Sequence, residues 1–183
     1  RLQVGRRGDR SDPRRREGRV VSPPSPRRGT VTIAVSFLVA LVLTALPLPH
    51  WAEPWRPAWV TLVLAYWVLA LPHRVGLGVA WGLGLLLDVM TGALLGQHAL
   101  SLSLVAFLAL RLHQRLRVLS PWEQGVSIFL LVVLDRALSL WVTGIQGMPT
   151  EARAIWAPAV TSTLLWPWLF VVLRDVRRRY QVS

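Results

Sequence analysis

Three ionisable side chains stand inside long runs of apolar residues: Asp88 in the third run, and Asp135 with Arg136 in the fifth. An unpaired charge in hydrocarbon costs several kcal/mol, so such residues are held by partners or carry protons and ions. Asp88 lies thirteen residues past Val75, and Asp135 thirteen past Trp122. At about 1.5 Å per residue both acids sit roughly 20 Å from the same edge, and Arg136 is within a residue of that level. The matched depth predicts an interhelical ion pair of Asp88 with Arg136. Neighbouring residues on a helix point about 100° apart, so Asp135 and Arg136 cannot both face Asp88 squarely. A proton or ion relay is the rival use of these groups. It asks for more protonatable residues in line than the run supplies, and the structural pair is the preferred reading.

Other chemistry is thinly represented. His50, His73, His98 and His113 stand far apart, without metal-ligand spacing to one another or to carboxylates. The absence of cysteine excludes disulfides, thiolate metal sites and cysteine nucleophiles. No phosphate-binding loop, nucleophile elbow or zincin motif occurs. The sequence thus implies neither an enzyme nor a cofactor. His73 beside Arg74 has the chemistry to touch a phosphate or lipid headgroup, and the plainer reading is a solvated loop.

These residues depend on the elements that carry them. The chain has 183 residues, of which 53% are hydrophobic and 16% charged, with mean hydropathy +0.44. From about residue 30 onward, apolar runs alternate with short breaks of Pro, Gly, His, Arg and Glu. Most runs have no polar face to offer water, which a soluble amphipathic helix requires. Six spans are expected: Thr30–Leu48, Ala58–Leu71, Val75–Leu95, Ala99–Leu112, Trp122–Thr143 and Ile155–Leu173. A bilayer core takes roughly 20 helical residues, so the second and fourth spans are short. Flanking residues such as Trp55 and His113 extend them, or one is tilted or re-entrant. The fold class is an all-α multi-pass membrane protein: a helical bundle over residues 30–183 behind an Arg- and Pro-rich, disordered tail over residues 1–29. The tail opens on Arg1 rather than Met, which raises an over-extended start as its origin.

The net charge of +12 suggests nucleic acid, but its placement does not: ten of the 21 basic residues fall in the first 28 positions, and most others flank apolar runs. Six spans put eighteen arginines on one side of the membrane, Arg74, Arg111, Arg115, Arg117 and Arg174 to Arg179 among them, against Arg56 and Arg153 on the other. By the positive-inside rule both termini are cytoplasmic. Such a basic side favours anionic membrane lipids rather than nucleic acid. Trp51, Trp55, Trp59, Trp141 and Trp156 gather near the outer boundary and Trp122 near the inner one, as indole rings do at the headgroup layer.

The third span repeats small residues at four-residue spacing, Gly76, Ala80, Gly84, Asp88, Gly92 and Gly96, with Gly78 and Gly82 as a second GxxxG. Small residues let helices approach closely, and internal packing is expected here ahead of a partner surface. Pro167, in Trp166-Pro167-Trp168, removes a backbone donor and is expected to kink the last span.

Several stretches resemble one family. Arg56-Pro57-Ala58-Trp59-Val60 and Tyr66 to Val75, which includes Ala70-Leu71-Pro72-His73-Arg74, are similar to the second-span region of MreD, the bacterial rod-shape-determining membrane protein. Gly84 to Gly92 with Asp88, followed by Leu95-Gly96, is similar to that family's third-span motif, and Leu165-Trp166-Pro167-Trp168-Leu169-Phe170 with Arg174 to Arg179 to its C-terminal end. The resemblance covers residues 30–183; the Arg-rich start and Asp135-Arg136 depart from it, so the Asp88–Arg136 pair is expected to be particular to this chain. It implies a non-catalytic component of the lateral-wall elongation machinery in the cytoplasmic (inner) membrane. The implied partners are MreC, the MreB filament, a RodA-type polymerase and a class B penicillin-binding transpeptidase. It also implies a fold similar to the substrate-binding subunits of energy-coupling-factor vitamin transporters, which keeps a small-molecule or lipid binder as the alternative function. The positions expected to act in structure or docking are Arg56, Pro72, His73, Arg74, Asp88, Gly92, Arg136 and Pro167.

Overall fold

A computed structural model describes residues 26–116, 118–120, 122–147 and 153–180. Most of the expected Arg-rich tail lies outside the described residues. Among the described residues the backbone forms six α-helices, one 3-10 turn at Glu53–Trp55 and no strand. The helices are α1 (Pro26–Ala45), α2 (Trp59–Ala70), α3 (Leu77–Thr91), α4 (Gln97–Leu116), α5 (Gln124–Ile145) and α6 (Arg153–Arg179). Each coincides with one expected span, and the ends differ. α1 starts at Pro26, four residues before the expected boundary, and α4 reaches back to Gln97 and on to Leu116.

α2 lies at the centre. Every residue from Val60 to Leu69 is buried, packed by α1, α4, α5 and α6. Its run reads as uniformly apolar because it has no outside. That explains its length of 12 residues: enclosed by neighbours, it is not sized by lipid. α3 packs chiefly on α4, and α5 on α6.

The outer helices carry large apolar side chains on their surfaces, among them Val35 and Leu38 on α1, Trp81 and Val89 on α3, Leu130 and Trp141 on α5, and Leu164 and Trp168 on α6. Exposed apolar area of this extent is what hydrocarbon solvent favours and water does not. By length and composition α5 and the Trp156–Arg179 part of α6 suffice to cross a membrane, while the Gly29–Ala45 part of α1 and α3 are apolar but shorter. By length and composition two full-length spans are sustained where six were expected.

Small-residue packing is real at one point of the expected row. A Cβ on Gly84 would stand 2.2 Å from the Cα of Ala99, so α3 and α4 touch backbone to backbone there. Gly78 and Gly82 face open space, and their GxxxG does not pack within the bundle. Gly92 and Gly96 have φ of +66° and +102°, a left-handed conformation that stops α3 four residues before the expected end at Leu95. α6 runs through both Pro158 and Pro167 as one 27-residue element. Pro167 leaves the Thr163 carbonyl without its helical donor.

Polar side chains tie α2 to its neighbours. Trp67 Nε1 donates to Ser36 Oγ of α1 at 2.7 Å, and the amide of Ala58, at the head of α2, to Ser162 Oγ of α6 at 3.0 Å. Trp166 Nε1 likewise reaches Gln124 Oε1 of α5 at 3.3 Å. Both indoles are fully buried, so each N–H needs a partner, and each has one.

Candidate functional site

Asp88 stands in the last turn of α3 with 1% of its surface exposed. The chain turns back through Gly92 and Gly96, and that reversal brings the head of α4 onto the carboxylate. Oδ2 accepts the amide of Gly96 at 2.8 Å. Oδ1 accepts the amide of His98 at 2.8 Å and faces His98 Nδ1 at 2.8 Å. A buried carboxylate is tolerable when several donors surround it, and a helix N-terminus adds its own positive field. Asp88 therefore staples α3 to α4.

This corrects the expected ion pair. Asp88 and Asp135 both lie eleven residues into their helices. Depth alone leaves direction round the helix undetermined, however, and the donors nearest to Asp88 belong to the turn eight to ten residues downstream. The partners of Asp88 are the two amides and His98 Nδ1; Arg136 is not among them.

Asp135, 5% exposed, accepts a 2.8 Å hydrogen bond from Thr61 Oγ1 of α2 on Oδ2. Its Oδ1 is buried without a partner. Arg136 keeps a buried, unpartnered Nε. Arg56, in the loop before α2, donates through its two terminal nitrogens to the carbonyls of Thr44 and Leu46, the latter at 2.8 Å. It thereby caps the C-terminus of α1, where a cation opposes the negative end of the helix dipole. Its Nε too is buried and unpartnered.

These groups surround one cavity of about 160 Å3, lined by Arg56, Thr61, Thr91, His98, Asp135 and Arg136 together with the loop ahead of α2. It lies where α1 and α3 end and α2 and α4 begin. Of the expected positions, Arg56 and Arg136 line it directly, and Asp88 and Gly92 shape its wall through His98 and the α3–α4 reversal. Asp135, Thr61 and His98 were missed as a group, because their contacts join segments more than 70 residues apart or hinge on a turn.

Pro72, His73 and Arg74 are not part of this constellation. They form the turn between α2 and α3 at the opposite end, with His73 and Arg74 exposed. The same end holds the last turns of α6, with Arg177, Arg178 and Arg179, and Tyr66 of α2 meets Arg177 there through a side-chain hydrogen bond. Pro167 lies between the two ends, next to Trp166. Among the described residues no three His, Asp or Glu side chains group to hold a metal ion.

Comparison with known proteins adds to this geometry. Residues 26–176 match the family model described as rod shape-determining protein MreD. A Haemophilus influenzae protein described as "Rod shape-determining protein MreD" is 38% identical over 152 residues, covering 82% of this chain and 93% of its own length. No solved structure matches the chain.

Proposed function

The chain belongs to the MreD family of rod shape-determining proteins, and from that premise we propose that it is a non-catalytic membrane component of the lateral-wall elongation machinery. Membership itself assigns a role in cell shape, and its helices are those of an integral membrane protein. The finer reading is that the bundle docks MreC, through it the MreB filament, and the wall-synthesis pair of a RodA-type polymerase and a class B penicillin-binding transpeptidase. Both termini face the cytoplasm in this reading, supported by the arginine asymmetry of the loops. The single observation that carries the assignment is the family match over most of the chain.

The eight positions divide by role. Asp88, Gly92 and Arg56 hold helices and turns in place, Pro167 sits within α6, and Arg136 lines the polar cavity. Pro72, His73 and Arg74 present a rigid, cationic turn to partners or lipid headgroups. Depletion tests the function: cells should lose rod shape and round up. Cells that stay rod-shaped but acquire a nutrient requirement would instead favour the transporter-type binder. Docking is tested by co-purification with MreC after detergent extraction. Arg74→Glu, at an exposed position, should leave the protein monodisperse and lower the recovered MreC at least five-fold. Undiminished recovery removes this turn from the docking surface.

A further inference from the structure

The polar cavity combines features that no packing role uses up. Arg56 and Arg136 both line it, each with a buried N–H left over. Asp135, 95% enclosed, lines the same space and has one carboxylate oxygen without a partner. A buried polar atom without a partner is costly, and three around one cavity point to something that completes them. Asp88 is already matched by His98 and two amides, so two guanidinium groups face one available carboxylate. That balance favours an anion, and guanidinium N–H groups suit phosphoryl oxygens; Arg56, whose terminal nitrogens cap α1, has its Nε–H to offer. The Asp135 oxygen asks in addition for a donor on the same ligand. A space of about 160 Å3 holds about five waters at ~30 Å3 each, which is too little for a nucleotide.

We propose that this cavity binds a small phosphoryl group bearing a hydroxyl or ammonium, with Arg56 and Arg136 on the phosphate and Asp135 on the donor. Phosphoethanolamine and glycerol phosphate have this chemistry, as free compounds or as phospholipid headgroups. The lipid source has a route: an apolar groove of about 690 Å3 between α1 and α6 is lined by Trp59, which also lines the polar cavity.

The test uses the full chain in detergent and in nanodiscs. O-phosphoethanolamine and glycerol 3-phosphate are titrated against thermal unfolding of the wild type, Arg136→Met and Arg136→Lys. In parallel, native mass spectrometry compares retention of phosphatidylethanolamine and phosphatidylglycerol with that of phosphatidylcholine, which lacks the donor. A soluble ligand raises the wild-type midpoint by several degrees, and the shift vanishes in Arg136→Met and partly returns in Arg136→Lys. A lipid ligand gives no shift with the free compounds but retention at least ten-fold above phosphatidylcholine, lost in Arg136→Met. The proposal is overturned if the wild type neither shifts nor retains these headgroups preferentially. It is equally overturned if a folded Arg136→Met or Asp135→Asn variant binds as well as the wild type. Because the wild-type titration stands alone, misfolding of a variant leaves the proposal open to refutation.

Discussion

The two ends of the bundle treat charge in opposite ways. Where α3 turns into α4, charged and polar groups point inward: Asp88 is wrapped by three donors, Asp135 holds Thr61, and Arg56 closes the end of α1. Where α2 turns into α3, His73 and Arg74 point outward, and α6 adds a run of arginines beside them. The stretches that carry the family resemblance fall on both ends, yet they answer to different forces. An inward group is fixed by desolvation, since leaving its partner bare inside the protein costs more than the bond itself contributes. An outward group is free to vary in stability terms and is constrained by what it meets.

The contrast breaks most visibly at Asp88. Asp88→Ala strips partners from two amides and from His98, and should cost about 3–5 kcal/mol, measured as loss of monodisperse protein and a lower unfolding midpoint in detergent. Survival of Asp88→Ala at wild-type stability would mean that the α3–α4 junction is not held by this carboxylate. Next comes Gly84→Ala. The added methyl meets the backbone at Ala99, and overpacking of this kind costs about 1–3 kcal/mol; Gly82→Ala, where the space is open, serves as the control and should be neutral. Thr61→Val removes the hydroxyl from Asp135 and should cost about 1 kcal/mol, visible in the same unfolding assay.

The smallest effect sharpens the outward side. Ser120 and Glu123 form a reciprocal cap before α5, the Ser120 amide donating to the carboxylate at 2.7 Å and Glu123's amide to Ser120 Oγ at 3.4 Å. The Ser120 amide bond holds the Glu123 carboxyl below its ordinary value of 4.5. A lowered carboxyl pKa means that the cap's contribution is complete above about pH 4.5 and fades as pH falls through the depressed value. Protection of the first-turn amides of α5, corrected for the intrinsic exchange rate, should therefore fall on acidification below that point. Glu123→Gln should abolish this pH dependence while leaving the rest of the bundle unchanged.

Six helices were legible from apolar runs because a run needs only composition. Their ends were less so. Gly92 fixes the end of α3 through a left-handed φ, and nothing in the apolar pattern from Val75 to Leu95 distinguishes it from Gly84, which serves close packing. The partner of Asp88 was misread for a related reason. Depth along a helix follows from counting, whereas direction depends on how neighbours are rotated, and the reversal that delivers His98 is set by Gly92 and Gly96. The inward tilt of Arg56 was likewise out of reach, since its acceptors are the carbonyls of α1, chemically anonymous in a sequence. The outward turn at Pro72 to Arg74, by contrast, was read as a helix end with a solvated loop, because Pro, His and Arg together suit no other place.

The brevity of α2 has a mechanical consequence. Twelve residues rise about 18 Å, whereas a bilayer's hydrocarbon layer is about 30 Å thick. A helix of that rise cannot reach both headgroup layers, so the loop before it and the turn after it carry polar backbone inward, among α1, α4, α5 and α6. Backbone that leaves a helix at membrane depth is tolerated where protein encloses it, and the neighbours of α2 supply that enclosure, with the polar cavity at one of its recessed ends.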